Sequence, residues 1–116
     1  MEYMLIIYAD PAGFAKLTPA QATEAMGAYH AYTEALKKAG VLKHSNRLQN
    51  QETATTVRVK GGKTEVLDGP YVETREQLGG YYLIDVPNLD AALQWASRCP
   101  GANHGAVEVR PIHPNP

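Results

Sequence analysis

Tyr3 to Ala9 reads Tyr-Met-Leu-Ile-Ile-Tyr-Ala, and Gly79 to Val86 reads Gly-Gly-Tyr-Tyr-Leu-Ile-Asp-Val. Each of these β-rich runs is followed by a helix signal and then by another strand-like segment. This echo constrains the fold more than any other feature of the chain. The first run is nearly continuous in apolar residues, as in a central strand covered on both faces or closed against a partner. Asp10-Pro11-Ala12-Gly13 ends it.

The first helix signal is strong. Thr18 is a good N-cap, Pro19 suits the first helical position, and Gln21 completes a capping box. Ala22, Met26, Tyr29, Thr33 and Leu36 then recur at three- and four-residue steps, which predicts one apolar stripe. Lys37 and Lys38 suit the negative end of the helix dipole and Gly40 suits the position just beyond it. A helix over 19–39 would be about 31 Å long. The second helix is capped by Asn88, with Leu89, Ala92, Leu93 and Ala96 on one face and Trp95 at its flank. Pro100-Gly101 breaks it.

Between the two units, residues 41–49 read as a weaker, polar strand. Residues 54–59 and 64–67 flank Gly61-Gly62 and read as a hairpin. Residues 106–112 alternate and read as the last strand. The order β-α-β, hairpin, β-α-β predicts an α+β protein. It is a ferredoxin-like split βαβ with an antiparallel sheet and an inserted β-hairpin, over a single domain of residues 1–116. Both helices then lie on one sheet face. The other face is too apolar to leave wet, so a second copy of the chain is expected to cover it as a homodimer.

Composition excludes several classes. Charged residues balance to a net −1, which leaves no electrostatic case for nucleic acid. The longest apolar run is far short of a membrane span. The opening residues lack a basic region and cleavage site, so no signal peptide is expected. The lone cysteine, Cys99, forms no internal disulfide and fits a reducing cytoplasm. It reads as a small buried residue, since a helix C-terminus disfavours a thiolate. His44, His104 and His113 show no metal-ligand spacing, so neither metal nor cofactor is expected. Gly61-Gly62 and Gly79-Gly80 open no helix and form no phosphate loop.

The most concentrated chemistry lies at 68–80, Asp-Gly-Pro-Tyr-Val-Glu-Thr-Arg-Glu-Gln-Leu-Gly-Gly. Asp68-Gly69-Pro70 is a strong turn former, with Gly69 and Pro70 serving conformation. Asp68 reads as a general acid or base whose pKa burial would raise, or as a cap on its own turn. Tyr71 offers a phenol to a ligand or stands as a half-buried aromatic. Glu73 and Arg75 close a pocket or form a solvated ion pair, and Glu76 reads as surface charge. Tyr29 is a core tyrosine or a pocket residue. His30 is an acid or base near neutral pH, or simply exposed.

These residues carry a resemblance. Asp68 to Val86, the opening Tyr3 to Tyr8, Tyr32-Thr33-Glu34-Ala35-Leu36, Thr55-Thr56-Val57-Arg58, Ala91 to Ala96 and Gly105 to Pro111 together resemble the DGPF branch of the YCII-related family. The match runs over nearly the whole chain. Tyr71 stands where that branch usually carries phenylalanine. The resemblance implies a dimeric α+β barrel, two ferredoxin-like sheets packed face to face. Relatives occur beside extracytoplasmic-function sigma factors, and the wider family includes a dehydrochlorinase of chlorinated hydroxyquinols. A histidine–aspartate dyad is proposed for that wider group. Its histidine position falls at Tyr29 here, with His30 one residue further along and about 100° around the helix. Haem occurs in other dimeric α+β barrels, but no histidine here is placed as an axial ligand.

Three functions remain open, of which a purely structural or interaction dimer with no pocket has no residue pattern of its own. One is a cofactor-free enzyme moving protons on a small aromatic or quinol-like molecule, with Asp68, Tyr29 and His30 as catalytic residues and Tyr71, Glu73 and Arg75 as ligand-binding ones. Another is a ligand-binding or sensory dimer linked to transcriptional regulation.

Overall fold

The central strand is β1 (Glu2–Ala9), and its alternation divides the molecule. In the computed structural model, which describes residues 1–114, Tyr3, Leu5 and Ile7 are buried while Met4, Ile6 and Tyr8 are half-exposed. One face of β1 is therefore covered within the protomer and the other is not. After β1 come α1 (Pro11–Ala15), α2 (Pro19–Lys38), β2 (Leu42–Arg47), β3 (Thr55–Lys60) and β4 (Lys63–Asp68). The chain continues with β5 (Gln77–Asp85), α3 (Leu89–Arg98) and β6 (Ala106–Pro111).

The main sheet has the order β2-β5-β1-β6, and every neighbouring pair is antiparallel. This is the ferredoxin-like α+β arrangement expected from the two β-α-β units. The sheet is open within the protomer, with β2 and β6 at its edges. Gly80 sits where β2 runs close to β5: a Cβ there would lie 2.6 Å from the Asn46 carbonyl oxygen. Gly80 thus serves strand approach, whereas a Cβ at Gly79 would meet the Ile7 carbonyl oxygen at an ordinary 3.8 Å.

The local signals for α2 act as the sequence implies. Thr18 accepts from the Gln21 N–H at 3.1 Å and Gln21 reciprocates on the Thr18 N–H at 3.0 Å. Gly40 follows the helix at φ 74°. The buried stripe differs from the expected one. Tyr32 and Leu36 are buried, Tyr29 and Thr33 are half-buried, and Met26 is 50% exposed. Only the C-terminal half of α2 packs deeply into the core, so the stripe narrows to 29, 32, 33 and 36. Tyr32 is the residue that the simple spacing passed over. Its ring meets Tyr82 edge-on at 5.2 Å, and its hydroxyl donates to the Trp95 carbonyl at 2.7 Å. One side chain thereby ties α2 to both β5 and α3.

The packed face of α3 is also rotated from expectation. Ala92 and Ala96 are buried and Trp95 packs beside them, whereas Leu89 and Leu93 are nearly half exposed. Two stripes shared the alanines, and the one carrying Trp95 prevails because its ring reaches Tyr32 at 6.3 Å. Two features were not anticipated. Asp10 caps the short α1, accepting from the Ala12 N–H at 2.9 Å, and Pro100–Asn103 forms a 3-10 turn.

The inserted hairpin β3–β4 forms a separate two-stranded sheet. Gly61 and Gly62, at φ 54° and 77°, provide the double positive φ of a tight turn. Its strands remain largely wet, with Val57, Val59 and Val66 each at least 59% exposed. Among the described residues no helix is long and apolar enough to cross a membrane.

The core and the cap make separable contributions. Leu36 is fully buried, so Leu36→Ala should cost about 2–5 kcal/mol. Thr18→Ala should cost about 1 kcal/mol. Urea denaturation of the two variants measures the difference, and equal costs would mean that α2 is held by its cap rather than by its packing.

Candidate functional site

One end of the sheet gathers unusual side chains. β1 ends there at Ala9 opposite Gln77, and β2 ends at Arg47 opposite Gly80. Phe14 of α1 and Met26 of the wet first half of α2 lie beside Arg47 at this end, and the hairpin enters and leaves the sheet through it. Tyr29 projects from α2 towards β1. Its hydroxyl would lie 2.7 Å from a Cβ placed on Gly101, with Ile7 Cγ2 at 2.9 Å on the same spot. Glycine at 101 therefore makes room for the phenol.

Burial pushes the Tyr29 pKa up to about 12, with the nearby Cys99 and Tyr82 adding to the rise and the Arg47 charge opposing it. Tyr29 thus stays a neutral hydrogen-bond donor at ordinary pH. Burial also raises the Cys99 thiol, against the Gly101 and Ala102 N–H groups that favour its charge. Cys99 is fully buried, as expected of a packing residue and not of a nucleophile.

Arg47 frames the mouth of this region. Its guanidinium lies 5.7 Å from the Phe14 ring centroid, and Nη1 approaches Met26 Sδ at 3.6 Å. Phe14, Met26 and Leu48 around it are each 45–50% exposed. Arg47 also lines a shallow groove of about 490 Å³ with Leu48, Gln49, Asn50, Glu52 and Thr53. Nothing in the polar β2 segment singled Arg47 out; its setting arises from α1 and α2.

The other sequence candidates are scattered. His30 is exposed on α2, beside Tyr29 in sequence, and among the described residues it makes no hydrogen bond. Asp68 closes β4 opposite Thr55 and is exposed. Its carboxylate does not cap its own turn. The turn is held by backbone instead: Gly69 N–H donates to the Ala54 carbonyl at 2.8 Å, and Thr56 Oγ1 donates to the Gly69 carbonyl at 2.8 Å. Gly69 has φ 118°, so its glycine is conformational. Tyr71 is 69% exposed rather than half-buried, with the Arg58 guanidinium 4.7 Å from its ring centroid. Glu73 and Arg75 are exposed and form no ion pair among the described residues. Among the described residues no hydrogen bond or ion pair joins Asp68 to Tyr29 or His30. Gln51 Nε2 does tie the 69–76 segment down, donating to the Thr74 carbonyl at 3.2 Å.

The uncovered sheet face holds a second group. Met4 and Ile6 of β1 stand opposite Leu83 and Tyr81 of β5, and the β2 residues His44 and Asn46 flank the same pairs. His44 Nδ1 and the Tyr81 hydroxyl are 2.7 Å apart, and Asn46 Nδ2 donates to that hydroxyl at 3.2 Å. On the opposite edge Arg110 Nε meets Glu108 Oε1 at 2.6 Å. An apolar centre with polar edges results. Spacing along the chain hides it, because its members come from four strands. Among the described residues no three His, Cys, Asp or Glu side chains group as a metal site.

A ferredoxin-like α+β sheet with an open face, two packed helices and a wet inserted hairpin defines the class. The YCII-related domain matches residues 1–115, and the chain belongs to that family. An uncharacterized protein of Rhizobium meliloti (strain 1021) is 37% identical over 114 residues, covering 97% of this chain and 92% of that protein. The solved structure of TftG, the 5-chloro-2-hydroxyhydroquinone dehydrochlorinase of Burkholderia phenoliruptrix AC1100, in complex with 2,5-dihydroxybenzoquinone, superposes with TM-score 0.57. It covers 97% of this chain and 94% of its own at 13% identity, a likeness of fold.

Two measurements check the Tyr29 environment. The folded protein keeps the phenolic proton that the unfolded chain releases from its ordinary value of 10.0, up to about 12. The stability contributed by the neutral phenol is thus full below pH 10 and is lost as pH rises towards 12. Denaturation across that window should show stability falling with pH, less steeply in Tyr29→Phe. Gly101→Ala should cost about 1–3 kcal/mol through overpacking. Removing the hydroxyl should recover part of that loss, so Tyr29→Phe with Gly101→Ala should be less damaging than the sum of the single changes.

Proposed function

We propose that this protein is a homodimeric, cofactor-free enzyme that moves protons on a small hydroxylated aromatic molecule. The observation that carries the reading is the open end of the sheet. There a neutral, half-buried phenol (Tyr29) and a cation (Arg47) stand beside exposed apolar side chains, Phe14 and Met26. An apolar recess with a few convergent polar groups is the usual form of a small-molecule site. TftG, whose named substrate is a chlorinated hydroxyquinol, supports the substrate class by shared fold and family.

In this reading Tyr29 donates a hydrogen bond to a substrate oxygen and His30 serves at the rim of α2. Asp68 takes the proton, carried to the site from the base of the hairpin. Tyr71, Glu73 and Arg75 belong to the same arm and close over the ligand. The Asp68-Gly69-Pro70 turn is our reason for placing the chain in the DGPF branch of the family. A hairpin with wet valines is marginal alone, which favours an arm that settles on ligand or partner.

The dimer is proposed from the uncovered face. Met4, Ile6 and Leu83 form its apolar centre, and the His44–Tyr81–Asn46 and Glu108–Arg110 groups its polar edges. A dry centre with a hydrogen-bonded rim suits an isologous contact between two copies.

Native mass spectrometry should show a two-chain mass, and Leu83→Glu should give a single-chain mass by placing a charge in that centre. A monomeric wild type would sink the dimer. For the reaction, a panel of hydroxyquinols is incubated with wild type and with Asp68→Ala. Wild type should convert at least one, and the variant should lose about 100-fold or more in rate, the scale of a lost general base. Its unfolding midpoint should not change. Full activity in Asp68→Ala would remove Asp68 from the mechanism. Ligand bound but recovered unchanged across the panel would leave a binding module instead.

A further inference from the structure

We propose that Arg47 is an anion-anchoring residue, and that the exposed apolar surface beside it, Phe14 and Met26, takes a small aromatic ring bearing a delocalised oxyanion. This rests on the reading of that end of the sheet as the ligand site and adds the charge of the ligand to it.

The argument starts from what Arg47 lacks. Among the described residues no carboxylate lies within ion-pair distance of it. Glu52 lines the same groove without pairing. The partners Arg47 does have are a thioether at 3.6 Å and an aromatic ring centroid at 5.7 Å. Both are weak acceptors, and neither neutralises a guanidinium. Its guanidinium is therefore open to a ligand at the end of β2, beside α1 and α2. A guanidinium fork matches a carboxylate or an acidic phenolate through two parallel hydrogen bonds.

The surroundings select the rest of the ligand. Phe14, Met26 and Leu48 expose apolar surface at the same end. A hydrated inorganic anion would gain nothing from them, whereas a planar ring would bury against them while its anionic end met Arg47. An adjoining groove of about 490 Å³, lined by Arg47 with Leu48, Gln49, Asn50, Glu52 and Thr53, has room for one ring, within the roughly 300–1,000 Å³ of small-molecule sites. The ligand chemistry is thus an aromatic anion, whether the charge sits on carboxylate or phenolate.

Isothermal calorimetry on the full chain, at low salt, compares benzoate with its neutral isostere benzamide. Wild type should bind benzoate at least tenfold more tightly than benzamide, and added sodium chloride should weaken benzoate alone. Arg47→Gln should erase the preference with benzamide binding unchanged. Arg47→Lys, which keeps the charge and loses the fork, should fall between. Phe14→Ala should weaken both probes by similar factors. The Arg47 side chain is exposed and its backbone supplies the strand pairing, so its variants should fold, which circular dichroism checks. Absence of benzoate binding at millimolar concentration, equal affinity for the two probes, or a preference that survives in Arg47→Gln would each overturn the proposal. The enzyme reading fails separately, when aromatic anions bind in the Arg47-dependent way but none is converted.

Discussion

The chain builds a sheet with two apolar faces and supplies helices for one. That imbalance governs the rest of the molecule. On the covered side, Leu5, Leu36 and Ile84 are wholly buried, and Tyr32 locks α2 to β5 and α3 through a ring edge and a hydroxyl. On the other side, Met4, Ile6 and Leu83 have only strand neighbours. Apolar area of this kind is costly in water. The polar edges formed by His44, Asn46, Tyr81, Glu108 and Arg110 limit the wet area without covering its centre.

The same architecture creates the candidate site. Helix α2 buries only its second half against the core. Met26 stays wet and Tyr29 is only half buried. Gly101 and the 3-10 turn after α3 bring backbone up to the Tyr29 hydroxyl where a larger residue would block it. Arg47 arrives from the end of an edge strand into the space that α1 leaves. A phenol kept neutral by burial and an unneutralised guanidinium then share one end of the protein.

How much of this was legible depended on the range of the interaction. The capping box at Thr18 and Gln21, Asn88 as a cap, the glycine turn at 61–62 and the burial of Cys99 all follow from residues close in sequence. Side-chain faces were harder. The spacing over 22–36 marked Tyr29 and Leu36 but passed over Tyr32, because its burial depends on Tyr82 and Trp95, which are 50 and 63 positions away. In α3, Leu89 and Leu93 outrank Trp95 by hydropathy, yet the indole prevails by meeting Tyr32. Of the candidate site, Tyr29 was visible from its place on the helix, whereas Arg47 and the His44–Tyr81–Asn46 group were not. They are assembled across strands whose register no local pattern states.

The sequence by itself determined the order of the strands and of the two long helices, the caps of those helices, the hairpin and the ferredoxin-like class. Each depends on backbone propensities and caps acting over a few residues, or on periodicities of two and of three to four. Only the tertiary structure decided which stripe of each helix is buried, that Asp68 and Tyr71 stand in solvent on an arm, and which cation stands beside the Tyr29 phenol. Those outcomes depend on strand register and on which part of each helix meets the core. They are settled by steric fit and by competition for buried volume between residues far apart in the chain.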